Sequence, residues 1–121
     1  MTADFNNNQP IYQQIIDRVL LAIAKGELEP GGKMKSVREL AAELAVNPNT
    51  MQKSLAKLEE MGYLYAERTS GRFVTQDTTR IDELKTRLPA QITASYITEM
   101  QNCGIARAEI PEYVRKEIAN G

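Results

Sequence analysis

Apolar residues recur along the chain at helical spacing, then briefly at strand spacing, and the changes of period mark its elements. Ile11, Ile15, Val19 and Ala22 form one helical stripe, widened by Tyr12, Ile16, Leu20 and Ile23, which predicts a helix over about 10 to 25. Pro10 suits its first turn and Gly26 its left-handed stop. The polar residues before it, through about Asn8, are expected to fray. After the turn Pro30-Gly31-Gly32, Ser36-Val37-Arg38-Glu39 has the spacing of a capping box. It opens a short helix over about 37 to 44 that buries Val37, Leu40, Ala41 and Leu44. Asn47 and Pro48 then start a third helix that runs to about Met61, with Met51, Leu55, Leu58 and Met61 on its buried face and Gly62 as its stop.

The period then shortens. Tyr63 to Arg68 and Arg72 to Thr75 predict a β-hairpin with Thr69-Ser70-Gly71 at its tip, and a hairpin this small must pack on the helices. From Gln76 the helical period returns, with Asp77, Thr78 or Thr79 as a cap and Ile81, Leu84, Leu88, Ile92, Tyr96 and Met100 along one stripe. Pro89 predicts a kink or short break near 86 to 89, or two separate helices. Gly104 ends the run, and a last helix over about 109 to 119 carries Ile110, Tyr113, Val114 and Ile118. The fold class is therefore mostly α, an α+β winged helix-turn-helix over residues 1–76 followed by a two-helix arm over 77–121. That arm has more apolar side chains than it can bury alone, so pairing with a second copy through Leu84, Leu88, Ile92, Tyr96, Met100, Ile110, Tyr113 and Val114 is expected.

Composition narrows the chemistry. The chain has 121 residues, 42% of them hydrophobic, which suits one small globular domain with an appendage. No apolar run approaches the length of a membrane span and the amino terminus lacks the pattern of a signal peptide, so a cytoplasmic protein is expected. Histidine is absent and Cys103 is the single cysteine, which removes the commonest general base and any zinc-type cluster. Cys103 reads as a packed or part-exposed thiol. An enzyme is disfavoured, and no cofactor or metal is expected. The net charge of −1 is spread evenly, nine basic and nine acidic residues up to Gln76 and six and seven beyond. A nucleic-acid binder with this balance must gather its cations on one face.

Such a face is available on the third helix, where Asn49, Thr50, Gln52 and Lys53 oppose the apolar stripe. Asn and Gln can pair bidentately with adenine, Thr can meet a base or a phosphate, and Lys can contact guanine or phosphate. Arg68 and Arg72 flank the hairpin tip and suit phosphate or minor-groove contact. A winged-helix module for protein association is the alternative, but it calls for exposed aromatics or leucines where this helix shows Asn49, Gln52 and Lys53.

The stretch KMKSVRELAAELAVNPNTMQKSLAKLEEMGYLYAERTSGRFV, with QPIYQQIIDRVLLAIAKGELEPGGK before it, resembles the amino-terminal domain of the GntR family of bacterial transcription regulators. The short tail is similar to that of its YtrA subfamily, whose two carboxy-terminal helices are associated with dimerisation. The resemblance implies a homodimeric regulator of double-stranded operator DNA, usually a repressor and often of an adjacent ABC-transporter operon. It implies DNA contacts for Ser36 and Arg38, for Asn49, Thr50 and Gln52 with Lys53 beside them, and for Arg68 and the wing turn Thr69 to Gly71. Three positions depart from the family pattern. Lys35 stands where proline is usual and adds a cation near the phosphates; Ala45 holds a turn position often taken by glycine; Thr69 replaces the first wing glycine, with Arg68 and Arg72 able to compensate. An unidentified small-molecule effector could sit in a crevice lined by Tyr96, Met100, Cys103 and Tyr113, although core or dimer packing is the simpler use of these residues.

Overall fold

In the computed structural model, which describes residues 1, 4–7 and 9–121, the elements follow the expected order. Helices α1 (Ile11–Lys25), α2 (Val37–Leu44) and α3 (Pro48–Glu60) precede the strands β1 (Leu64–Glu67) and β2 (Gly71–Val74). Helix α4 (Thr78–Asn102), a single 3-10 turn (Arg107–Glu109) and helix α5 (Ile110–Asn120) complete the chain. This is the mostly helical winged arrangement that the hydrophobic periods predict. Two compact units divide the chain, Met1–Lys85 and Thr86–Gly121, so the first turns of α4 belong with the winged part.

The first unit is built on α1 and α3. Ile15, Val19, Ile23, Leu55 and Leu58 are almost wholly shielded from solvent, each contributing about 1.5–3 kcal/mol through burial. Ser54 ties these helices together at their contact, its Oγ lying 2.9 Å from Thr50 O and 3.3 Å from Tyr12 O. Between α2 and α3 the chain turns through Ala45, which takes up a left-handed conformation with φ of 55°. A side chain there costs about 1–2 kcal/mol, which is the strain expected from alanine at a glycine-like position.

Helix α3 stops at Gly62, whose φ of +87° favours glycine. Arg80 of α4 donates to Met61 O at 3.0 Å and lies over the Tyr63 ring, fastening the start of α4 to the end of α3. The hairpin is antiparallel, with Leu64 opposite Val74 and Glu67 opposite Gly71. Leu64 and Val74 face the core, while Tyr65 stacks on Phe73 at 5.6 Å. Segment 31–34 runs beside β2 as a partial third strand: Met34 N donates to Arg72 O, Val74 N to Gly32 O and Gly31 N to Val74 O, all within 2.9 Å. A bridge between Lys33 and Phe73 belongs to the same ladder.

Several sequence expectations need correction. Among the described amino-terminal residues, Phe5 and Asn6 do not simply fray. Asn6 N donates to Gln14 Oε1 at 3.0 Å, Gln14 Nε2 donates to Asn6 O and to Gln9 O at 2.8 Å, and Arg18 lies 4.5 Å over the Phe5 ring. A buried amide on α1 thus holds Asn6 and Gln9; Thr2, Ala3 and Asn8 lie outside the described residues. Second, α4 continues through Pro89 as one helix, so the expected short break or pair of separate helices does not occur. The missing proline N–H leaves the Lys85 carbonyl without its helical donor, at a position open to water, which can replace it. Third, Leu84 is fully buried inside the first unit and cannot meet a second chain.

In the second unit α4 closes with Ile105 N donating to Met100 O at 3.1 Å and Gly104 N to Gln101 O at 2.9 Å, around Gly104 in the left-handed region. Ile110 is buried in this chain, which also removes it from the expected pairing surface. Ile92, Tyr113, Val114 and Ile118 are exposed, and Leu88, Tyr96 and Met100 are half-buried.

Candidate nucleic-acid interface

The α3 amino terminus is set by its own residues. Asn47 accepts from Asn49 N at 2.7 Å through its side-chain oxygen, and Pro48 occupies the first turn. Met51, Ser54, Leu55 and Leu58 turn inward, and this fixes the outward face. Asn49, Gln52 and Lys53 are exposed at spacings of three and four and so share one side, with Thr50 half-buried at its edge. Because the inner face is locked by packing, the outer amides are presented on a rigid support.

Helix α2 begins with the capping box expected from its sequence: Glu39 N donates to Ser36 Oγ and Ser36 N donates to Glu39 Oε1, both at 3.1 Å. Hydrogen bonding of the Glu39 carboxyl to the Ser36 amide and to the Ser36 hydroxyl holds it below the usual carboxylate range, aided by the charges of Lys35 and Lys33. Arg38 points from the same turn into solvent.

The wing tip consists of Arg68, Thr69 and Ser70, between the strand partners Glu67 and Gly71. Gly71 has φ of +103°, a conformation that a larger residue would strain. Arg68 and Thr69 are exposed. Arg72 is different: its Nε pairs with Glu59 Oε1 of α3 and its side chain is only 19% exposed. Arg72, expected to contact DNA alongside Arg68, is thus matched by a carboxylate of α3, whereas Arg68 is not.

Pairing resolves the question that net charge left open. Up to Gln76, Lys25 pairs with Glu27, Lys35 with Glu43, Lys57 with Glu60 and Arg72 with Glu59, while Arg18 lies over Phe5. Among the described residues of that stretch, Lys33, Arg38, Lys53 and Arg68 have no carboxylate partner. They stand on the segment before α2, on α2, on α3 and at the wing tip, the parts of the fold expected to meet DNA. Lys33 is absent from the sequence-based set; its signal is the strand-like pairing of segment 31–34 with β2, which local patterning does not reveal.

A groove of about 370 Å³ lies between this segment and the wing, with Lys33, Lys35, Ser36, Gly71 and Arg72 among its walls. It brings together four of the predicted contact residues: Lys35, Ser36, Gly71 and Arg72. Asn49, Gln52 and Lys53 do not line it, so the exposed polar face of α3 and the groove are separate features.

Residues 11–74 match the family described as bacterial regulatory proteins, gntR family. Over 121 residues the chain is 33% identical to an uncharacterized HTH-type transcriptional regulator, YhcF, of Bacillus subtilis, covering 100% of both chains. It is 32% identical over 118 residues to the HTH-type transcriptional repressor YtrA of the same organism, covering 96% of this chain and 89% of that one. A solved structure, a GntR family transcriptional regulator from Listeria monocytogenes, matches with a TM-score of 0.83 at 40% identity, covering 93% of this chain and 98% of that one.

Proposed function

Because the chain belongs to the gntR family of bacterial regulatory proteins, DNA-binding transcription regulators rather than enzymes, we propose that it is a homodimeric repressor acting on a palindromic operator. In this reading α3 enters the major groove, with Asn49, Thr50 and Gln52 meeting base edges and Lys53 a base or a phosphate. Arg38, with Ser36 and Lys33, meets phosphates, and Arg68 and Thr69 carry the wing to the minor groove. The observation that carries the reading is the set of exposed cations without a carboxylate partner, Lys33, Arg38, Lys53 and Arg68, together with the exposed amides of α3.

Two copies are favoured by the exposed Ile92, Tyr113 and Val114 of the second unit, apolar surface that a partner would cover. A repressor role is supported by the name of the YtrA relative, and an operon close to its own gene, such as one for an ABC transporter, is the first target to examine.

The deciding experiment measures binding of the purified protein to its own upstream duplex and to a scrambled one at several salt concentrations, with stoichiometry. Two chains per selected duplex are expected. Arg38→Ala should weaken binding to every sequence and make the slope of log K against log salt shallower by about 0.9. Gln52→Ala should instead change which bases are preferred, by about 1–3 kcal/mol at the affected position. Binding that ignores sequence would defeat the proposal.

A further inference from the structure

Arg72 and Glu59 form the least exposed of the ion pairs among the described residues, with side chains 19% and 30% exposed. Glu59 lies in the last turn of α3, and Arg72 in the strand that returns from the wing tip. Arg72 also joins two other parts of the fold through its backbone. Its carbonyl accepts from Met34 N at 2.8 Å, and it sits opposite Ala66 in the hairpin register. One residue thus links α3, the segment leading to α2, and both strands of the wing.

We propose that Arg72 and Glu59 are positioning residues that clamp the wing to α3 and fix the angle at which the wing tip and the base-reading face meet one duplex. The inference rests on the DNA-binding reading above and assigns Arg72 a role distinct from phosphate contact. A guanidinium already matched by a carboxylate adds little net attraction for phosphate, and moving it outward would leave Glu59 as an unmatched, partly buried charge. Two surfaces that bind together need a fixed spacing, and a small hairpin holds its direction only through the contacts at its base. Arg68, exposed and without a carboxylate partner, is the natural contrast.

The test compares R68Q, R72Q, E59Q and the exchanged pair E59R/R72E in the full chain, on the upstream duplex and its scrambled counterpart. R68Q should make the salt slope shallower by about 0.9. R72Q should keep the wild-type slope and reduce the preference for the selected duplex about tenfold, and E59Q should reduce that preference similarly. The exchanged pair should restore it to within about twofold, as a coupled pair requires. In the protein without DNA, hairpin amides over 64–67 and 71–74 should exchange hydrogen about tenfold faster in R72Q and E59Q, with α1 amides unchanged, and recover in the exchanged pair. If R72Q does not fold, E59Q and the exchanged pair decide by the same readouts. A shallower slope in R72Q together with tighter binding by E59Q would make Arg72 a phosphate contact and overturn the clamp, as would unchanged hairpin exchange. Absence of sequence preference in the wild type would sink the regulator reading alone, since hairpin exchange still judges the clamp.

Discussion

Residues 1–85 bury apolar side chains from every helix and from both strands, whereas residues 86–121 bury only Ile110 and leave Ile92, Tyr113, Val114 and Ile118 in solvent. The first stretch has its stabilising contacts in place within one chain. The second has the helices but buries little of their apolar surface, and an isolated helix of 11 residues such as α5 is marginal in water. The difference sets a stretch whose apolar side chains are buried within one chain against a stretch whose apolar side chains are not, and it is the physical basis for proposing a homodimer.

The contrast can be broken most forcefully in the core. Leu58→Ala removes a fully buried side chain of α3 and should cost about 2–5 kcal/mol in urea unfolding. Ile92→Asp with Val114→Asp should leave the unfolding of the first unit within about 0.5 kcal/mol of wild type while converting a dimer to a monomer by sedimentation. Equal destabilisation by both changes would mean that the two stretches do not differ as described.

A smaller effect is expected where the first unit holds its own amino-terminal residues. Gln14→Ala leaves the Asn6 and Gln9 backbone groups to find other partners and should lower stability by about 1–3 kcal/mol. Proteolysis should then cut preferentially ahead of α1, and an unchanged digestion pattern would show that the amide contacts do not hold that stretch.

The smallest expected effect lies at the α2 cap, where Ser36→Ala should cost about 1 kcal/mol of thermal stability. Because the folded Glu39 carboxyl titrates below its unfolded value, its contribution is complete above the usual carboxylate range and disappears as pH falls through the depressed folded value. Melting temperatures of wild type and Glu39→Gln should differ near neutrality and converge in acid. A gap that persists in acid would deny the carboxylate its role in the cap.

Much of this was legible because the signals are local. The Ser36 to Glu39 spacing marks the start of α2, Asn47-Pro48 that of α3, and the apolar periods identify their buried faces, so the exposed Asn49, Gln52 and Lys53 follow directly. What sequence reasoning missed depends on groups far apart in the chain. Nothing near Arg72 announces that Glu59 will lie beside it, and nothing near Lys33 announces its bridge to Phe73. Gln14 was a local signal of another kind, a polar residue inside an apolar face, which calls for a partner when buried. Leu84 continued the tail's stripe in sequence but belongs to the winged core in space, because helical periodicity reports a face and not what covers it.

The pattern of matched and unmatched cations has a consequence for the search along a chromosome. Sequence-indifferent affinity grows with the number of phosphates a protein can neutralise, and a genome offers about 10⁶–10⁹ such competing sites. By matching Lys25, Lys35, Lys57 and Arg72 internally, the chain limits how firmly it is retained by DNA that it does not need to read. On the proposed reading, its low net charge keeps more molecules free of decoy sites, while the few unmatched cations are left to act at the target.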